Sequence, residues 1–148
     1  MCCALCKEKL TRLRRLGSAE QWLLLQAAAW LAIARLLLAV LSFRRLSALL
    51  SVGGSSARLD SDSELPRRIS RAISLAANNV PWRADCFPQS IAARMLLRRH
   101  GYASALHIGV ARIGDDALTA HAWLTCGETV VTGGALLERY TELHVLGD

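Results

Sequence analysis

The chain has 148 residues, 53% hydrophobic and 20% charged, which suits one compact domain around one buried core. Its 18 Lys and Arg against 12 Asp and Glu give a net charge of +6. The basic residues are spread over the chain, and with two Tyr and two Phe they do not alternate with aromatic residues. That argues against a nucleic-acid surface and for a solvated basic face. Five cysteines cannot all pair, and Cys2, Cys3 and Cys6 crowd a terminus with no secretory signal before them. A reduced, cytoplasmic protein without a metal site is the expectation.

From Trp22 to Phe43 the chain is apolar except for Gln26, Arg35 and Ser42, long enough to cross a bilayer. Arg35 near the middle costs about 2.5–3.5 kcal/mol on insertion scales, and Arg14, Arg15, Arg44 and Arg45 flank both ends, so no charge asymmetry orients a span. Helical spacing puts Trp22, Leu25, Ala29, Ala32, Leu36 and Ala39 on one stripe, and the helix needs a domain, a partner or a lipid surface to cover it. Ser51–Ser63, rich in Ser, Gly and Asp, reads as a flexible connection. It divides an N-terminal helical region and linker, residues 1–62, from a core of residues 63–148.

After the linker, Ser63 caps a helix with Pro66 in its first turn and Leu65, Ile69, Ile73 and Ala76 at helical spacing, ending at Asn78-Asn79. A second helix follows Trp82-Arg83-Ala84-Asp85. It starts at or just after Cys86, tolerates Pro88 in its first turn, and ends in Arg98-Arg99-His100 with Gly101 as the stop. Asp85 reads as its cap. From Ala103 the pattern alternates: strands over SALHIGVARI, LTAHAWLTC and TVVTG, joined by turns at Gly114-Asp115-Asp116 and Gly127-Glu128. Helices followed by an antiparallel sheet make an α+β fold.

A cysteine reacts as its thiolate, which the positive end of a helix favours, and the same free N–H groups can face the oxyanion of a tetrahedral intermediate. Cys86 has that placement. His121, among Ala120, Ala122, Trp123 and Leu124 on a strand, is the candidate imidazole. Spacing alone leaves the blander alternative open, an inert core thiol and a structural histidine. Gln89 falls on the first turn of the Cys86 helix. Trp82 either lines the cleft or plugs the space beneath that helix. His107 projects from its strand opposite Leu106 and Ile108, and His100 and His144 read as surface.

The run from Trp82 to Ser90, the Arg-rich helix end, Gly101-Tyr102, His107-Ile108-Gly109-Val110 and Ala120-His121-Ala122-Trp123 together resemble the lasso-peptide leader peptidases. These are the transglutaminase-like peptidase half of the B proteins that process microcin-type precursors. The resemblance runs from about Pro81 to Gly134, and the apolar Trp22–Phe43 helix is also similar to that family's N-terminal region. It implies a papain/transglutaminase-like fold with Cys86 as nucleophile and His121 as general base, then acid, and Trp82 and Gln89 as candidate substrate or oxyanion contacts. The family's third member is an Asp about a dozen residues after the His, where this chain reads Thr132-Gly133-Gly134. Thr132 through its hydroxyl or carbonyl, Glu128 from the turn, or a Cys–His dyad stand open.

The resemblance further implies a leader cut from a lasso-peptide precursor through a thioester, with the core passing to a macrolactam-forming cyclase. About 60 residues precede the peptidase part, too few for the family's leader-recognition module, so a separate leader-binding protein is expected. The apolar helix is its candidate docking surface, with membrane contact the other use. No cofactor is expected, and without a phosphate-binding loop any ATP dependence belongs to a partner. An idle or acyl-transferring scaffold in peptide maturation is the alternative.

Overall fold

A computed structural model describes residues 17–51, 64–113, 117–135 and 137–147. In chain order these form helices α1 (Ser18–Val40), α2 (Phe43–Ser51), α3 (Glu64–Ala77) and α4 (Cys86–Arg99). Strands β1 (Ala105–Ile113), β2 (Ala117–Cys126) and β3 (Thr129–Thr132) follow, then a 3-10 turn (Leu137–Arg139) and β4 (Thr141–Leu146). The sheet is antiparallel in the order β3-β2-β1-β4. The fold is α+β with an N-terminal apolar helix, as the pattern predicts. The terminal cysteines, most of the expected linker, the Ser63 cap and the turn at residues 114–116 lie outside the described residues.

The apolar run 22–43 is one helix that breaks near its end. Gly17 starts α1 by accepting from the N–H groups of Glu20 and Gln21 at 2.9 and 3.0 Å. Leu41 turns extended (φ −94°, ψ 138°), and the Ser42 carbonyl accepts from Arg45 and Leu46 at 3.0 Å each, which starts α2. The break turns Leu46 and Leu50 into the core. α1 packs on α3 and α4 through Leu23, Ala27, Leu31 and Ala34, whereas the stripe through Trp22, Leu25, Ala29 and Leu36 lies on the outside.

The core crosses the residue 62/63 boundary: Leu31 of α1 and Leu50 of α2 share one buried cluster with Ile69 and Ile73 of α3, Ile91 and Leu96 of α4, and Leu106 and Leu124 of the sheet. Each fully buried Leu or Ile contributes about 1.5–3 kcal/mol relative to exposure. α4 ends on Gly101 in a left-handed conformation (φ 77°). There Tyr102 N–H bonds Leu97 O and Gly101 N–H bonds Arg98 O, both at 3.0 Å, satisfying two terminal carbonyls and turning the buried Tyr102 onto the core.

β4 has no counterpart among the strands expected from the sequence. It covers β1 as an edge strand whose residues are exposed until Leu146, so its side chains carry no clean inside–outside alternation to read.

Candidate active site

α4 starts at Cys86 because Asp85 is extended (φ −70°, ψ 179°) and its carbonyl accepts from Gln89 N–H at 3.2 Å. Pro88 sits in the first turn, where its missing N–H breaks no helical bond, and the N–H groups of Cys86 and Phe87 have no helical carbonyl four residues back. One expectation is corrected: Asp85 occupies the cap position but its side chain makes no capping bond. Its carboxylate instead lies 3.7 Å from Arg83, an exposed pair of little energetic weight. The approach to Cys86 is held by two other groups. Gln89 Nε2 donates to Ala84 O at 2.7 Å, and Arg35 of α1 donates through Nη1 to Arg83 O at 3.2 Å.

Cys86 and His121 border one open cavity of about 250 Å³, walled by Phe43, Phe87, Ile108, Ala120 and Ala122. Cys86 is a half-buried free thiol. Among the described residues no hydrogen bond joins it to His121. Thiol and imidazole therefore share a cavity without being docked, and such contacts tighten when substrate binds.

His121 is fixed from its far side. Its Nε2 donates to Gly133 O at 2.8 Å. A carbonyl only accepts, so Nε2 carries the proton and Nδ1 is the basic nitrogen of the neutral ring. The imidazole also stacks on Tyr140 (4.7 Å, 29°) and on Trp123 (6.2 Å, 22°). Gly133 reaches this position in a left-handed conformation (φ 71°), where a Cβ would collide with the Ala122 carbonyl and stand 2.9 Å from Trp123 Cα. Only glycine lets the chain turn back so closely against β2 and aim its carbonyl at the ring. Gly133 and Tyr140 were not among the residues singled out from sequence; the Gly-Gly pair closing β3 is the signal that marks the first.

Thr132 is one residue short of His121. Its hydroxyl is buried against Ser90 Oγ at 2.9 Å, and Ser90 lies 3.4 Å from Ala122 O, a clasp that ties α4 to β2 and β3. Glu128 is exposed on the β2–β3 turn, roughly 15–20 Å from His121 at about 3.3 Å per strand residue. Neither Trp82 nor Gln89 borders the Cys86 cavity. Trp82 lines a separate groove with Ala32, Arg35, Leu36 and Ala39, its Nε1 buried without a partner among the described residues.

His107 is part of the same ring stack. Its Nδ1 lies 2.6 Å from Glu142 Oε2 and its Nε2 3.0 Å from Thr125 Oγ1, and its ring lies parallel to Trp123 at 5.2 Å. Gly109 makes room for this, since a Cβ there would stand 2.9 Å from the Trp123 ring and from Thr141 O. Cys126 is buried in the core, and burial pushes its thiol up from the ordinary range. Among the described residues no group of three His, Cys, Asp or Glu is placed to hold a metal ion.

A cysteine on the first residue of a helix, packed against an antiparallel sheet that carries a histidine at the same cavity, defines the papain/transglutaminase-like class of α+β proteins. Residues 28–145 match the Transglutaminase-like superfamily, and the chain belongs to it. The superfamily includes cysteine peptidases and acyltransferases, typically built on Cys, His and Asp. No curated protein and no solved structure matches the chain.

Proposed function

We infer that the protein is a cysteine peptidase that removes the leader from a lasso-peptide precursor. The observation that supports this reading is the single cavity shared by Cys86 and His121, with the His121 tautomer set by the Gly133 carbonyl. His121 Nδ1 takes the Cys86 thiol proton, and the thiolate attacks the carbonyl at the leader–core junction. The N–H groups at the start of α4 face the oxyanion. Collapse breaks the C–N bond, His121 protonates the leaving core amine, and the leader is held as a thioester. Water, deprotonated by His121, then releases it as an acid and restores the thiol. The apolar cavity walls favour uncharged residues at the junction. Leader binding and ring closure fall to a separate leader-binding protein and the cyclase, and no step above uses a cofactor.

The test mixes purified protein with precursor, leader-binding protein and cyclase, and follows leader release by mass spectrometry. Parent protein releases the leader and Cys86→Ala does not; equal cleavage by both sinks the reading. A second reading rests on the carbonyl standing where the superfamily places a carboxylate: an idle or acyl-transferring scaffold. A product carrying an added primary amine identifies acyl transfer, and a Cys86 thiol that reacts at neutral pH no faster than an ordinary exposed thiol identifies the idle scaffold.

A further inference from the structure

The net charge is not evenly shared once acidic neighbours are counted. Residues 1–51 hold eight Lys and Arg against two Asp and Glu, and residues 52–148 hold ten against ten, so the whole +6 lies in the segment that contains α1 and α2. The same segment carries the largest exposed apolar side chains of the helical layer. Trp22, Leu25, Leu36, Val40 and Phe43 are each more than half exposed, from 56% at Phe43 to 78% at Val40. At 100° per residue the α1 members, with Ala29 and Ile33 between them, fall within an arc of about 80° that runs about 27 Å along the helix. No charged residue interrupts that arc. Lys7, Lys9, Arg12, Arg14 and Arg15 precede it in sequence, and the exposed Arg44 and Arg45 follow it at the start of α2.

We propose that this face of α1 docks on an anionic lipid surface, with the apolar stripe in the acyl boundary and the exposed Arg44 and Arg45 that follow it on the headgroups. An apolar arc with exposed cations beside it is the chemistry of an interfacial helix. α1 is long and apolar enough to span, with a mean hydropathy of 2.1. A span would strip Leu23, Ala27, Leu31 and Ala34 from the core, whereas lying flat leaves that face packed and covers only the exposed one. Arg35, which weighs against a span, lies outside the arc and is bonded to Arg83 O.

The full chain is tested by co-sedimentation with vesicles of phosphatidylglycerol and phosphatidylcholine in equal parts, and with phosphatidylcholine alone. Binding is expected to the anionic vesicles at least about tenfold tighter than to the neutral ones, and to fall with salt. Arg44→Gln with Arg45→Gln lowers the partition roughly 10- to 30-fold. Leu36→Ser with Val40→Ser lowers it more than about tenfold. Unchanged circular dichroism melts show that these exposed positions leave the fold intact. The proposal is overturned by equal binding to both vesicle types, by serine variants that bind like the parent, or by a chain that stays in solution. It is also overturned by a dimer that the serine variants dissociate, which would assign the stripe to a second copy. None of these readouts depends on peptidase activity.

Discussion

Gly133 carries more of the site than its size suggests, because its backbone carbonyl accepts the hydrogen bond from His121 Nε2. Gly133→Ala forces a Cβ into the Ala122 carbonyl at a left-handed φ. We expect a loss of about 1–3 kcal/mol in stability, read from denaturant midpoints, together with, on the proposed leader-peptidase reading, a fall in leader release larger than the stability loss explains. An active variant with an unchanged midpoint would remove Gly133 from the site. The two described thiols should also separate. Cys126 is buried and its thiol pushed up, so a maleimide or haloacetamide probe at neutral pH is expected to label Cys86 well before Cys126 in the native protein, and both together once unfolded. The raised Cys126 thiol carries a sign for stability. Below the ordinary thiol range folded and unfolded chains both keep the proton and the contribution is complete. Above it the unfolded chain loses its proton first, so stability falls as pH rises. Cys126→Ala is expected to flatten the alkaline limb of a stability–pH curve, and an unaltered limb would contradict the assignment.

Among the elements, α4 is the one on which the others are assembled. Its first residue is Cys86, its second turn is clasped by Ser90 to Thr132, and its middle is pinned by Arg94, fully buried. Arg94 Nη2 donates to Leu50 O at 2.8 Å and Nη1 to the Ser104 carbonyl, joining the end of α2 and the entry to β1 across the helix. An aliphatic replacement keeps volume but strands buried carbonyls that only a long cation reaches. Arg94→Met is expected to cost about 2–4 kcal/mol by chemical denaturation, and a neutral result would show that solvent reaches those carbonyls. The α4–sheet clasp contributes to stability separately from the site. Ser90→Ala is expected to cost about 1–2 kcal/mol by releasing the Thr132 hydroxyl, without touching the His121–Gly133 bond.

At the scale of the whole molecule, the shared core implies that α1 and the sheet unfold together. Leu31, fully buried, touches neither site nor sheet edge in sequence, yet Leu31→Ala is expected to destabilise by about 2–5 kcal/mol. The transition should be a single one by both helix signal and tryptophan fluorescence. Two separated transitions would divide the chain near the 52–63 segment instead.

Cys86 at a helix start, His121 on a strand and the α+β order were legible in the sequence because each follows from local rules: a proline in a first turn, a glycine stop, and apolar alternation along β1 and β2. The apolar character of residues 22–43 was equally plain. Local rules stop where a decision depends on what lies opposite. In a helix apolar all round, no spacing says which side meets the core, and only packing against α3 and α4 put Leu23, Ala27, Leu31 and Ala34 inside and the Trp22 stripe outside. Asp85 and Thr132 had the right side-chain chemistry for a cap and a third catalytic group. Asp85 stayed with solvent and Arg83, Thr132 bonds Ser90, and the group that meets His121 Nε2 is the backbone carbonyl of Gly133. A carbonyl is present at every residue, so its direction is invisible in sequence and is decided by the left-handed turn that the close approach of Gly133 to β2 requires.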